Sequence, residues 1–246
     1  MDVVRKGAFA EIEAEGNPEA ETKLAKELVG DLLDVIRDTV TAGKADGGMS
    51  VVAKPNAVTL VAGGFVGSAK KLEDVAKRLA ELVKQEEPHV APWIKLDADS
   101  YRGVNLHLVS IPIPPDADNR EKAVQMIGET LDVVVGMSND ALYVAAGKDA
   151  MKTLKQAIGK SADESFKTAA PVEIELSLHP VAKFVAEVGD EDERENAALV
   201  ASVLEGAADR DHVKLTVTPI ERGARLRFQL EEGILRLIGK MSTMDD

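Results

Sequence analysis

At 246 residues, with 45% hydrophobic and 30% charged residues, the chain can bury a substantial core as one large domain or two small ones. A net charge of −13, with lysines and arginines scattered among carboxylates, repels phosphate backbones and anionic membranes, and the scarce aromatic residues leave few rings to stack on bases. The lack of cysteine removes disulfides, thiolate nucleophiles, zinc knuckles and iron–sulfur ligation, and no run approaches the ~18 apolar residues of a membrane span.

Phe9 to Ala14 alternates apolar and acidic residues, the pattern of a half-buried strand. Asn17-Pro18 reads as a helix cap followed by proline at the first helical position. Leu24, Leu28, Leu32, Val35 and Ile36 carry helical spacing from there to about Ala42, and Gly43 ends it. Met49 to Val66 reads as a hairpin turning at Pro55-Asn56. Leu72, Val75, Leu79, Leu82 and Val83 predict an amphipathic helix over Ala69–Val83. A second hairpin spans Ile94 to Ile111 and turns at Arg102-Gly103. After an exposed loop at Asp116 to Asn119, a helix is expected from about Glu121 to Val135, a strand over Ala141–Ala146 and a helix over Asp149–Ile158. Gly159 to Ala170 is the candidate linker. Beyond it come a strand over Val172–Leu178 and a helical region from Val181 to Leu204, interrupted at Gly189-Asp190-Glu191-Asp192. A third hairpin, His212 to Leu230, turns at Glu221-Arg222-Gly223. Ile234 to Ile238 ends the chain as a short helix or strand.

The sequence repeats across an offset of about 162 residues: Glu11-Ile12-Glu13 returns as Glu173-Ile174-Glu175, Pro18 and Ala20 as Pro180 and Ala182, and Gly43-x-Ala45-Asp46 as Gly206-x-Ala208-Asp209. Hairpins alternating with helices predict an α+β fold: an antiparallel sheet of hairpins with helices packed on one face, internally duplicated as β-α-β-β-α units. The order from Phe9 through Tyr101 also fits a ferredoxin-like unit. The segments are residues 1–90 for the first repeat, 91–162 for a middle unit and 163–246 for the second repeat, as separate domains or one continuous domain. Ile12, Leu72, Leu79, Leu106, Leu142, Ile174, Leu215 and Leu226 lie on the apolar side of their local periods and are the expected core.

No reactive constellation stands out. No histidine pair has the i,i+4 spacing of a zinc helix, and no serine has a nucleophile-elbow context. No catalytic or cofactor-binding residue is assigned, and no cofactor is called for. The only metal candidates are Asp97, Asp99 and His107: on paired strands the imidazole would lie across from two carboxylates, on the same face as Asn105. The solvated polar sheet face is the plainer reading. The acidic clusters Asp116-x-Asp118, Asp190 to Glu193 and Asp209-x-Asp211 lack the glycine and glutamate of a calcium loop. Gly63-Gly64-x-x-Gly67-Ser68 lacks the phosphate-loop pattern and follows a hairpin strand.

Val213 to Gly223 followed by Glu231-Glu232-Gly233-Ile234-Leu235, and Asp140 to Ala150, resemble segments of uncharacterised secreted bacterial proteins built of repeated α/β units. The resemblance rests on structural motifs and carries no activity. It implies an extracytoplasmic, periplasmic or secreted setting, with the chain a mature fragment; a cytoplasmic setting stays open. Met1 to Lys6 is not a secretory signal, because no apolar run follows the basic pair. The expected function is a non-enzymatic structural or protein-interaction module with a protein partner. The alternative is a carrier of an apolar small ligand such as a lipid, held in a cavity between sheet and helices. An enzyme of unrecognised type is third. A flat apolar patch favours the first, an apolar cavity the second, and convergent titratable groups in a cleft the third.

Overall fold

The computed structural model describes residues 2–14, 18–44, 46–54, 56–117, 120–164, 172–207 and 210–242. The expected cap Asn17, turn residue Pro55, loop residues Asp118 and Asn119, residues 165–170 of the linker, and Ala45, Ala208 and Asp209 of the repeat lie outside them. The elements are α1 (Asp2–Ala14), α2 (Glu19–Thr41), β1 (Gly47–Lys54), β2 (Ala57–Phe65), α3 (Ala69–Glu86), a 3-10 turn (Pro88–Trp93), β3 (Ile94–Tyr101), β4 (Val104–Pro112), α4 (Arg120–Ile127), β5 (Thr130–Met137), β6 (Ala141–Gly147), α5 (Ala150–Glu164), β7 (Val172–Ser177), α6 (Leu178–Val188), α7 (Glu191–Glu205), β8 (His212–Ile220), β9 (Gly223–Leu230) and α8 (Glu232–Ser242). No described helix is long and apolar enough to cross a membrane.

The fold is α+β, with one six-stranded sheet in the order β1-β2-β6-β5-β4-β3 and a three-stranded sheet in the order β7-β8-β9. The chain divides into two compact units, residues 1–51, 59–117 and 128–160 in the first and residues 52–58, 118–127 and 161–246 in the second. The six-stranded sheet draws strands from both expected segments 1–90 and 91–162, joined where β2 pairs with β6.

In the first unit, β4 shows how the sheet is covered. Val104 and Leu106 point to one side and join Val134, Ala145, Leu154 and Ile158 in a closed apolar core under α5. Asn105 and His107 alternate with them and point to the other side, where Glu73 of α3 meets them. Helices therefore cover both faces of this sheet, not one: a strand apolar on one side and half-polar on the other recruits α5 to the first and the mixed face of α3 to the second. Close packing of the sheet requires glycine at 136, where a Cβ would stand 2.9 Å from Leu106 and 3.0 Å from Val104. The β3-β4 turn has Arg102 and Gly103 both at positive φ, +50° and +79°, the two-residue geometry that matches strand twist.

Three sequence expectations change. Phe9–Ala14 is helix, not strand. Arg5, Ala8, Phe9 and Ile12 are the half-buried positions of α1, spaced i, i+3, i+4 and i+7, and Arg5 pairs with Asp34 of α2. Glu11-Ile12-Glu13 thus sits in a helix and Glu173-Ile174-Glu175 in a strand, which removes the duplicated β-α-β-β-α unit and the ferredoxin-like order with it. The helix expected to reach Val135 stops at Ile127. Gly128, at φ +93°, ends it, and the β-branched run Val133-Val134-Val135 belongs to β5. The helix expected to end at Ile158 continues to Glu164.

In the second unit, the acidic interruption of the helical region is a capping box. Asp190 accepts the Glu193 N–H at 3.1 Å, and Glu193 accepts the Asp190 N–H at 3.1 Å, which starts α7. Leu204, Ile234 and Leu237 form the core of this unit, joined by Val200, Val203, Val213 and Leu230.

Candidate functional site

The three-stranded sheet of the second unit carries the site. Each strand alternates: Val172, Ile174 and Leu176 with Glu173 and Glu175; Val213, Leu215 and Val217 with Lys214 and Thr216; Leu226, Phe228 and Leu230 with Arg225, Arg227 and Gln229. The register sets Ile174 opposite Leu215 and Leu215 opposite Phe228, with Val172–Val217–Leu226 on one flank and Leu176–Val213–Leu230 on the other. Opposed residues project to the same side. One side is therefore a grid of apolar side chains, three per strand, and the other side is charged. On the charged side Lys214 bridges Glu173 at 2.5 Å and Glu175 at 3.3 Å.

Among the described residues, helices close only one end of the apolar side, where Val213 and Leu230 meet Leu204, Ile234 and Leu237. The rest is open. Leu226 is 65% exposed, Phe228 59% and Ile174 56%, and Val172 and Leu176 are exposed as well. Burying a Leu, Ile or Phe side chain is worth roughly 1.5–3 kcal/mol. A fold that leaves several of them together on one flat surface forgoes much of that stabilisation, and such patches mark interaction sites. Ile174 and Leu226 were expected in the core. Their period was read correctly, but the layer that would cover them is not supplied by the described residues around them.

Asp211 fixes the position of this sheet against its helices. It is buried, accepts the Ser177 hydroxyl at 2.6 Å and the His179 N–H at 2.7 Å, and so ties the end of β7 to the first turn of α6. Burial pushes its carboxyl up, but the bonds from Ser177 and His179 outweigh that and hold it below the usual carboxylate range. The His212 N–H donates to Glu231 at 3.0 Å and its Nδ1 lies 2.9 Å from the same oxygen, which raises the imidazole pKa. Sequence reading gave Asp211 and Glu231 no role, because their partners are 32 and 19 residues away.

The metal candidates of the first unit part company. A bulge between Lys95 and Asp99 turns Asp97, at φ +48°, toward His107, and its N–H donates to His107 Nδ1 at 3.0 Å. Asp99 lies opposite Leu106, on the other face, and pairs with Lys155 of α5. The cluster around His107 is completed by residues the sequence reading did not single out. Glu73 accepts from Asn105 at 3.0 Å, and the Lys77 ammonium lies 2.9 Å from both Glu73 and Asp97. Burial pushes the Glu73 carboxyl up, and hydrogen bonds from Lys77 and Asn105 reverse that; Lys77 also lowers the Asp97 pKa. Glu73, Asp97 and His107 offer atoms close enough together to share an ion. The donor set does not suit one, however. The Lys77 ammonium already stands between the two carboxylates. His107 Nδ1 accepts the Asp97 backbone N–H, so that nitrogen's lone pair is already engaged, and Nε2 lies 3.5 Å from Glu73. The cluster is an ion-pair lock between α3, β3 and β4.

Comparison with protein-family models, with curated proteins and with solved structures gives no match.

Proposed function

We propose that the chain is a non-enzymatic protein-interaction module that works through the open apolar face of β7-β8-β9. The observation that carries the reading is the exposure of Leu226, Phe228 and Ile174 together on one register-matched surface. The extracytoplasmic setting belongs to the same proposal and is supported by the resemblance to secreted proteins. Site-specific photocrosslinking in the source cells tests the function. A crosslinker replacing Phe228 is expected to give a discrete protein adduct, and one replacing Thr216 on the opposite side is not. Equal adducts from both positions, or none from position 228, overturn the reading.

One observation favours the carrier of an apolar ligand as a second reading. A half-open groove of about 330 Å3 on α7 and α8 is lined by Leu199, Val200, Val203, Leu237 and Met241, with Asn196 and Lys240 beside them. It lies on helix surfaces and not between sheet and helices. Binding of a fluorescent fatty acid that is lost in Val200→Trp supports this reading, and binding unchanged by that substitution removes the groove as its site.

A further inference from the structure

We infer that the occupant of the open face is a second copy of this chain, packed face to face across a two-fold axis that lies between the two β7-β8-β9 grids, parallel to the sheets and across their strands. This deepens the interaction reading and rests on it.

Three features of the sheet select this arrangement. The first is charge. Glu173, Glu175, Lys214, Arg225 and Arg227 all project from the side opposite the apolar grid, so two stacked grids bring no charge into contact. The alternative pairing of a symmetric dimer, edge to edge, is disfavoured by the same residues. A two-fold axis normal to the sheet sets β9 antiparallel to its copy, with Arg225 and Arg227 facing arginines. The other edge sets Glu173 and Glu175 facing glutamates. Like charges directly opposed on adjacent strands are destabilising.

The second feature is area. Taking roughly 200 Å2 for a fully exposed large apolar residue, the exposed fractions of Val172, Ile174, Leu176, Leu226 and Phe228, with smaller shares from half-buried Leu215 and Val217, come to roughly 600 Å2 per copy. A face-to-face pair then buries about 1,200 Å2, the lower bound for a stable specific interface. The third feature is shape. Sheets stack about 10 Å apart, the thickness of a helix layer. The helices close only the Val213–Leu230 end of the grid. A partner sheet fills the same layer beside them, and the two-fold axis places the partner's own helices past the opposite end.

The net charge of −13 works against self-association and is screened by salt, so the dimer is expected to tighten as ionic strength rises. Sedimentation equilibrium on the full chain over roughly 1–200 µM tests the inference. The wild type is expected to dimerise, more tightly in about 0.5 M sodium chloride. Phe228→Asp is expected to weaken the dimer by roughly 30-fold or more, with an unchanged circular dichroism spectrum. Ile174→Ser, a milder change, serves if Phe228→Asp misfolds. Arg225→Glu with Arg227→Glu is expected to leave the dimer in place. A dimer lost in the arginine variant and kept in Phe228→Asp overturns the face-to-face arrangement in favour of an edge. A wild type monomeric at every concentration and salt overturns the second copy as occupant. In that case an adduct from position 228 to a different protein still upholds the interaction reading, and the absence of any adduct removes both.

Discussion

Replacing Lys77 by methionine tests the lock between α3 and the β3-β4 hairpin. The variant keeps the aliphatic stem but removes the ammonium that lies 2.9 Å from both Glu73 and Asp97. Breaking a fully buried pair from one side costs roughly 3–5 kcal/mol. Here the Lys77 side chain is about one-third exposed, Asp97 faces water, and Glu73 keeps its bond from Asn105. The discounted cost is roughly 1–2 kcal/mol. Urea unfolding followed by the fluorescence of Trp93, the single tryptophan and a residue of the first unit, reads it directly. With a urea slope of roughly 2 kcal/mol/M, the midpoint is expected to fall by about 0.5–1 M at pH 7. The pH dependence carries the sign. Glu73 and Asp97 titrate below their ordinary values in the native state, so their stabilisation is present above the unfolded carboxylate pKa and is lost as pH falls through the lowered native values. The gap between wild type and variant should therefore close in acid. An unchanged midpoint at pH 7, or a gap that widens in acid, refutes the lock. So does a saturable gain in wild-type stability at micromolar calcium or zinc, because an ion would then be the preferred occupant.

Leu106→Ala, at a fully buried position under α5, is expected to cost roughly 2–5 kcal/mol in the same urea assay, whereas Leu79, expected in the core, is 39% exposed and Leu79→Ala should cost clearly less; equal losses would contradict the surface position of Leu79. Asp211→Ala removes the acceptor of the Ser177 hydroxyl and the His179 N–H and should cost the second unit roughly 2–3 kcal/mol, read as a lower thermal midpoint of its circular dichroism; a change within about 0.5 kcal/mol would remove its role. The raised pKa of His212 stabilises the fold fully below about pH 6.5, the unfolded value, and that increment is lost as pH rises through the raised native value. His212→Gln should abolish this alkaline loss, and a profile identical to wild type between about pH 6 and 8 would refute it.

The period of each segment was legible wherever a single repeat length dominated. The alternation in Val172–Leu176 and Leu226–Leu230 marks strands, and the spacing Leu24 to Ile36 marks α2. Segments that satisfy two periods were misread. Ile12 fits an alternating strand with Ala10 and Ala14, and equally one side of a helix with Phe9, and packing against α2 decides for the helix. The site was half legible. Ile174, Leu215 and Leu226 were identified by pattern as apolar-side residues and Val172, Leu176 and Phe228 were not singled out, and pattern does not tell a side that is covered from one that is open. The charged cluster was half legible too: Asp97 and His107 do lie together, but only through the bulge that turns Asp97 toward His107 while Asp99 keeps its register opposite Leu106, and that bulge leaves no mark in the alternation. Glu73 and Lys77 join the cluster only because α3 crosses the sheet at that point, a tertiary fact that local spacing does not carry.

The central claim is that the apolar side of β7-β8-β9 is an outer surface. The stability of the Leu226→Asp, Phe228→Asp double variant, measured by urea unfolding in dilute solution where any dimer is dissociated, tests it most directly. An open face takes two carboxylates with a loss within about 1 kcal/mol. A face buried in the folded monomer would have to hold two unpaired charges, and a loss of more than about 4 kcal/mol, or failure to fold, would contradict the account.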